Sequence, residues 1–196
     1  AFGTADGYIE LPGQDGPNVV SYIDVLANAA PVGQRVAIVG AGGIGFDVAE
    51  FLVVAPGESP TMDLAEWRRE WGVGDPSEAR GGLVTAQPVP ATRQVTLLQR
   101  KRGKLGSALG KTTGWIHRST LIAKVVTMLP GSNYERITAE GLVVSFGDTH
   151  EREHLVEADT IVLATGPKAA PITRLAPPVR KSRARRLRSD AALRAK

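Results

Sequence analysis

Apolar positions along the chain switch between two periods. "RVAIVG", Arg35–Gly40, is a short run of branched apolar residues closed by glycine, as a buried parallel strand requires. Directly after it, Ile44, Val48, Phe51 and Leu52 recur at helical spacing up to about Val54. Strand therefore turns into helix across "GAGGIG". The same reading predicts a second buried strand in "QVTLLQ", Gln94–Gln99, a helix from about Gly114 to Lys124, and a third strand in "VTMLPG". "NYERIT", "GLVVSFG" and "EREHLVEAD" alternate apolar with polar residues and predict a small antiparallel meander. "TIVLATG", Thr160–Gly166, is a last buried strand ending in glycine.

Two stretches break this order. Residues 55–92 carry Pro-Gly-Glu-Ser-Pro, a helical "TMDLAEWRREWG" with Thr61 as its expected N-cap and Gly72 near its end, and then a loop rich in Gly and Pro. Residues 1–34, rich in Gly, Pro and Asn, read as a flanking connection with one helical candidate around Tyr22–Ala30. Beyond Pro167 no apolar period survives, so residues 167–196 are expected to be a disordered tail.

Composition adds two exclusions. With no cysteine, these residues can build neither a disulfide nor a cysteine-held zinc or iron-sulfur site. The stretch "AFGTADGYIE" has no basic and apolar regions of a secretion signal, and the apolar window Val36–Ala55 is interrupted by Asp47 and Glu50. A soluble, cytoplasmic protein without a membrane partner is expected. The net charge of +4 belongs to the tail, because Arg180–Lys196 holds eight of the 24 Lys and Arg and one of the 20 Asp and Glu. The rest carries 16 basic against 19 acidic residues, −3, which gives no footing for a specific nucleic-acid partner.

Gly40-Ala41-Gly42-Gly43-Ile44-Gly45 matches G-x-G-x-x-G between a strand and an amphipathic helix. Gly40 permits the tight turn, Gly42 lets the backbone approach a pyrophosphate, and Gly45 lets helix and strand pack closely. The anion then meets free N–H groups at the helix N-terminus, around Gly43 and Ile44. The fold class expected is α/β: a Rossmann-like parallel sheet with a small antiparallel β meander and a disordered basic C-terminal tail. Residues 35–166 form its nucleotide-binding domain, with residues 55–92 as an insertion. In such folds an acid ending the second strand selects NAD, and a basic residue selects NADP. Here that strand ends in Gln99-Arg100-Lys101-Arg102, so NADPH is the expected cofactor, held by Arg100 and Lys101. The ribose-reading residue usually lies about 20 residues on from the glycines. Arg100 lies 55 positions after Gly45, which is why residues 55–92 must loop out.

The stretches "APVGQRVAIVGAGGIGFDVAEFLV", "EWGVGDP", and above all "LLQRKRGKLGSALGKTTGWIHRSTLIAKVVTMLPGSNYERI" resemble the NADPH-dependent 2,4-dienoyl-CoA reductases, over about residues 10–166. The resemblance implies one part of a larger enzyme. It implies FAD in a neighbouring domain, with FMN and a 4Fe-4S cluster in a barrel that holds the substrate. Hydride would pass from NADPH to FAD, for reduction of an unsaturated acyl-CoA in fatty acid β-oxidation. The partners are then the missing flavin and barrel domains, and the fragment alone is inactive. By analogy with related flavoenzymes, Asp47, two residues after the third glycine, lies near the nicotinamide; a first-turn acid favourable to the helix dipole reads equally well. Thr165 and Gly166 resemble the strand end that contacts nucleotide or flavin.

Lys111, Thr112, Trp115, His117 and Arg118 form the densest family-like cluster. Trp115 and His117 otherwise read as helix residues covering a core edge, and no Cys or Asp stands near His117. His150 and His154 lie four apart in a β segment, a spacing useful to a metal on a helix only. No catalytic or metal-ligating residue is therefore assigned. The resemblance stops after Gly166, where Arg, Ala and Pro dominate as in codons read out of frame. The alternative is a catalytically inert remnant or a basic-tail binding protein, whose binding would weaken with salt and ignore nucleotide identity.

Overall fold

A computed structural model describes residues 10–55 and 62–165. The chain enters through β1 (Val19–Ser21) and α1 (Tyr22–Ala27), then forms β2 (Arg35–Val39) and α2 (Gly43–Val53). α3 (Leu64–Trp71) follows, then β3 (Gln94–Gln99), α4 (Gly114–Ala123) and β4 (Thr127–Pro130). A meander of β5 (Ser132–Thr138), β6 (Gly141–Phe146) and β7 (Glu153–Glu157) leads into β8 (Thr160–Leu163). The large sheet has the order β1-β8-β2-β3-β4 with every neighbour parallel, and β5-β6-β7 form an antiparallel sheet. This is the Rossmann-like arrangement with a meander that the hydrophobic pattern predicts.

Alternate side chains of the central strands feed two cores. On one face Val36, Ile38, Leu97 and Val162 meet Phe46, Val48, Ala49, Leu52 and Val53 of α2. On the other, Ala37, Val39, Leu98 and Ile161 meet Leu142, Val144 and Val156 of the meander. A fully buried side chain of this size contributes about 1.5–3 kcal/mol, so covering both faces of β2 and β3 anchors the fold. The buried stripe of α2 keeps the expected Val48 and Leu52, leaves Ile44 half-buried and loses Phe51. Phe51 is 54% exposed and points away from the sheet, its place taken by Phe46, Ala49 and Val53.

The flanking connection contributes more than a helix. Val19, Val20 and Ser21 pair with Ile161, Val162 and Leu163, making β1 an edge strand of the main sheet. α1 stops at Ala27, short of the expected Ala30, and starts with a capping box in which Ser21 and Asp24 bond each other's backbone N–H. In the insertion, Asp63 rather than Thr61 caps α3, accepting from Ala65 N at 2.8 Å and Glu66 N at 3.0 Å. Thr61 itself lies outside the described residues. Gly72 ends α3 at φ 68, the left-handed cap glycine tolerates best.

An ion pair ties the insertion to the body. Lys124 Nζ, at the end of α4, donates to Glu70 Oε1 of α3 at 2.5 Å and to the Val89 carbonyl at 2.7 Å, with both charged side chains nearly sealed from water. Trp115, expected to cover a core edge, is instead 62% exposed, its indole N–H donating to the Thr112 carbonyl. Residues 166–196, including the whole basic tail, lie outside the described residues.

Candidate functional site

All five strands of the main sheet are parallel, so their carboxyl ends share one edge. β2 is flanked there by β3 and by β8, which the chain reaches by departures in opposite directions. A crevice at such a switch point is where ligands of open α/β sheets bind. The glycine turn sits in it: Gly40 N donates to Leu98 O of β3 at 3.0 Å, and Ala164 N, just past β8, donates to Val39 O at 2.9 Å.

Each glycine of the motif has a distinct surrounding. Gly40 adopts φ +110, and a Cβ on it would lie 2.8 Å from the Ala164 carbonyl oxygen. On Gly45 a Cβ would run into the Gly40 carbonyl oxygen and stand 3.4 Å from Leu97 Cδ1. Gly42 and Gly43, by contrast, face open space. Gly42 is also the N-cap of α2 and offers no side-chain cap, so the first-turn amides, Ile44 among them, are left for a ligand. Two glycines are thus spent on closing the turn, and two leave room for a phosphate to reach the backbone.

The basic run lies on the adjacent strand end. Gln99 Nε2 donates to the carbonyls of Lys101 (2.9 Å) and Gly103 (3.2 Å), and Gly131 N donates to the Lys101 carbonyl at 3.1 Å. These bonds hold the loop in one shape. Arg102 is drawn aside to Asp148 of the meander at 2.5 Å. Arg100 and Lys101 are exposed and have no side-chain partner among the described residues. Leu105, beyond the run, is buried, and its carbonyl accepts from Arg118 Nη1 at 3.0 Å, so a member of the family-like cluster anchors the loop from α4.

Of the other expected site residues, Thr165 follows β8 beside the turn, its N standing 3.3 Å from where a Gly40 Cβ would be. Asp47 is exposed on α2, one turn from the N-terminus. Gly166 lies outside the described residues. The structure therefore gathers Gly40, Gly42, Gly43, Ile44, Gly45, Thr165, Arg100 and Lys101 at one sheet edge, with Asp47 on the helix leaving it.

Three features escaped the sequence reading. His117 does have an acidic partner: its Nδ1 stands 2.8 Å from Glu50 Oε1 of α2. Burial pushes the Glu50 carboxyl above its usual range, His117 pulls it back, and Asp47 adds to the rise. Tyr134 of β5 lies near the glycine turn, its phenol raised by burial and opposed by the Arg100 charge and the Gly40 backbone amide. Ser145 and His150 both contact Glu135 Oε1 at 2.6 Å, and this cluster secures the loop after β6 rather than forming a nucleophile, because Ser145 is fully buried. The first two depend on pairing of elements distant in sequence and the third on the register of the β5–β6 hairpin, so no local signal announces them. Among the described residues no group of three or more His, Cys, Asp or Glu is placed to hold a metal ion, and no helix is long and apolar enough to cross a membrane.

Known proteins resemble this chain in sequence or in fold. A metal reductase of Desulforamulus reducens is 28% identical over 159 residues, covering 81% of this chain and 22% of that protein. The structure of 2-naphthoyl-CoA reductase in complex with 2-naphthoyl-CoA aligns with a TM-score of 0.54 at 17% identity, over 81% of this chain and 18% of that one. The 6-hydroxypseudooxynicotine amine oxidase of Pseudomonas geniculata N1 aligns with a TM-score of 0.54 at 18% identity, over 83% and 20%. These two share the fold, and the chain spans 18–22% of the length of all three proteins. The sequence profile described as pyridine nucleotide-disulphide oxidoreductase matches residues 1–195, through the glycine turn and both flanks. A parallel sheet with an open glycine turn at its switch point is what that family name requires of a nucleotide site, and the chain belongs to the pyridine nucleotide-disulphide oxidoreductase family.

Proposed function

We propose that this chain is the NADP(H)-binding portion of a larger flavoenzyme resembling 2,4-dienoyl-CoA reductase, serving reduction of an unsaturated acyl-CoA. One observation carries the choice of NADPH: the strand end beside the glycine turn, Gln99 to Arg102, contains no acid of its own and presents Arg100 and Lys101 with no side-chain partner among the described residues. An acid there would repel a 2′-phosphate, whereas two free cations pair with it.

The residues present fit such a cofactor. The open faces of Gly42 and Gly43 and the uncapped amides of α2 would receive the pyrophosphate, Arg100 and Lys101 would receive the 2′-phosphate, and Asp47, exposed on α2, is the acid that the resemblance assigns to the nicotinamide end. Thr165 borders the crevice from β8. When bound, NADPH supplies a hydride. Within these 196 residues there is no cysteine, so a dithiol or the ligands of a 4Fe-4S cluster belong to other parts of the enzyme, as do FAD and FMN. A second reading follows from the metal reductase relative: the electrons end on a metal ion as substrate, with the NADPH half unchanged.

The test is calorimetric titration of the chain with NADPH, NADH and ADP, before and after Arg100→Ala together with Lys101→Ala. Charge-assisted contacts contribute about 1.5–3 kcal/mol each, so NADPH affinity should fall by about 150-fold or more while NADH affinity barely moves. Equal losses for both nucleotides would overturn the 2′-phosphate assignment. Supplying an unsaturated acyl-CoA or an oxidised metal ion to the complete flavoenzyme separates the two acceptors.

A further inference from the structure

Tyr134 is the residue of the meander that the fold brings to the cofactor edge. Its ring packs against the core cluster that contains Val39 and Leu98, as do Leu129 and Leu163, and each of these four is the last or next-to-last residue of its parallel strand. A β-bulge fixes the direction. Tyr134 opposes Val144 and Arg136 opposes Val143, so Glu135 is an extra residue in β5. Bulges of this kind re-aim the neighbouring side chains.

The three consecutive side chains then part company. Glu135 turns to Ser145 and His150, and Arg136 forms a two-pronged pair with Glu153 at 2.6 and 2.7 Å. Tyr134 alone makes no hydrogen bond to another side chain among the described residues, and its phenol stands by the Gly40 backbone, within reach of the Arg100 charge. Arg102 is instead paired with Asp148 of the loop after β6. The polar groups near the glycine turn without a side-chain partner among the described residues are thus the Tyr134 phenol, Arg100 and Lys101.

We propose that Tyr134 is a specificity-determining residue of the cofactor site, its hydroxyl joining Arg100 to form the subsite for the adenosine 2′-phosphate. This rests on the NADPH reading above. A phenol O–H donates to a phosphate oxygen without adding charge, and its fixed ring, seated in the core, positions that donor at little entropic cost.

The test uses the full chain and calorimetric titration with NADPH, NADH and adenosine 2′,5′-bisphosphate. Tyr134→Phe keeps the ring in the core and removes only the hydroxyl. NADPH and the bisphosphate should weaken by about tenfold or more, the value of a hydrogen bond to a charged group, and NADH should change less than about twofold. In the double variant Tyr134→Phe with Arg100→Ala, the loss should be smaller than the product of the single losses, because both act on one phosphate. Unchanged NADPH affinity, or equal weakening of NADPH and NADH with a lowered melting temperature, overturns the proposal and leaves Tyr134 as packing. If the unaltered chain shows no preference for NADPH over NADH, the underlying reading fails first, and that result is seen before any variant is made.

Discussion

Replacing Gly45 and Gly42 by alanine, one at a time, separates the two tasks of the glycine turn. At Gly45 the added methyl would run into the Gly40 carbonyl oxygen, a backbone atom that no rotamer change can move. Its other neighbour, Leu97 Cδ1 at 3.4 Å, is an ordinary contact. Helix α2 must therefore shift off β2, opening the interface that Phe46, Ala49 and Val53 fill. Overpacking of this kind costs about 1–3 kcal/mol, and a backbone clash belongs at the upper end, about 3 kcal/mol. For a chain of this size each kcal/mol moves the melting temperature by about 2–4 °C, so Gly45→Ala should melt about 6–12 °C lower. At Gly42 a methyl meets nothing, and φ −81 suits alanine. There the lost N-cap preference of glycine and the gain from a stiffer unfolded chain are each about 0.5 kcal/mol and opposed, leaving stability unchanged. The methyl would instead stand where a phosphate must approach, and NADPH should bind at least about tenfold more weakly, 1.4 kcal/mol. Thermal unfolding followed by circular dichroism, beside calorimetric titration, reads both quantities. The reasoning is refuted if Gly45→Ala melts within about 2 °C of the unaltered chain, or if Gly42→Ala loses as much stability as Gly45→Ala.

Other perturbations follow from the same contacts. Lys124→Met strands the Glu70 carboxylate in a place almost closed to water and should cost about 3–5 kcal/mol, with Glu70→Gln added in the same chain restoring part of the loss; urea denaturation measures both. Glu50 has its carboxyl raised above the unfolded value by burial, so the native state holds that proton more tightly, and its contribution to stability is lost as pH rises through the raised value. The urea midpoint of Glu50→Gln should accordingly fall less than that of the unaltered chain between the ordinary glutamate range and neutrality, and parallel profiles would count against it. Ser21→Ala removes the cap of α1 and should cost about 1 kcal/mol, visible as a shift in the urea midpoint with unchanged NADPH affinity.

The elements legible in the sequence were those with a local signal. Arg35–Val39, Gln94–Gln99 and the glycine turn announce themselves through branched runs and glycine spacing, and the meander through alternation. What escaped was set by distant partners. Val19–Ser21 is too short to show a period and is a strand only because β8, contributed from far along the chain, runs beside it. Phe51 fits a helical apolar stripe on paper, yet the neighbouring stripe through Phe46, Ala49 and Val53 packs more tightly on the sheet and rotates Phe51 outward. Thr61 and Asp63 are both acceptable caps, and the acid two residues later won the amides of Ala65 and Glu66. For the site, the glycines and the basic run were readable by spacing. Tyr134 was not, because its place depends on a bulge that aims one aromatic residue of a polar hairpin over the sheet edge. Nor was the pairing of Glu50 with His117, which joins two helices across 67 positions of sequence.

The strand order carries a consequence for how the chain reaches this state. β8 is the last element of the described fold to leave the ribosome, yet it lies inside the main sheet, between β1 and β2. Until it arrives, β2 has one bare edge and β1 has no neighbour at all. The contact of Arg35 N with Asp159 Oδ2 spans 124 positions, so the closing step joins ends of a very long loop. Loop entropy grows only slowly with length, which makes the 55–92 insertion cheap in equilibrium terms, but such distant pairings slow the search. A chain stopped before Thr160 would therefore expose two strand edges at once, and the half-built sheet becomes a target for strand addition and aggregation.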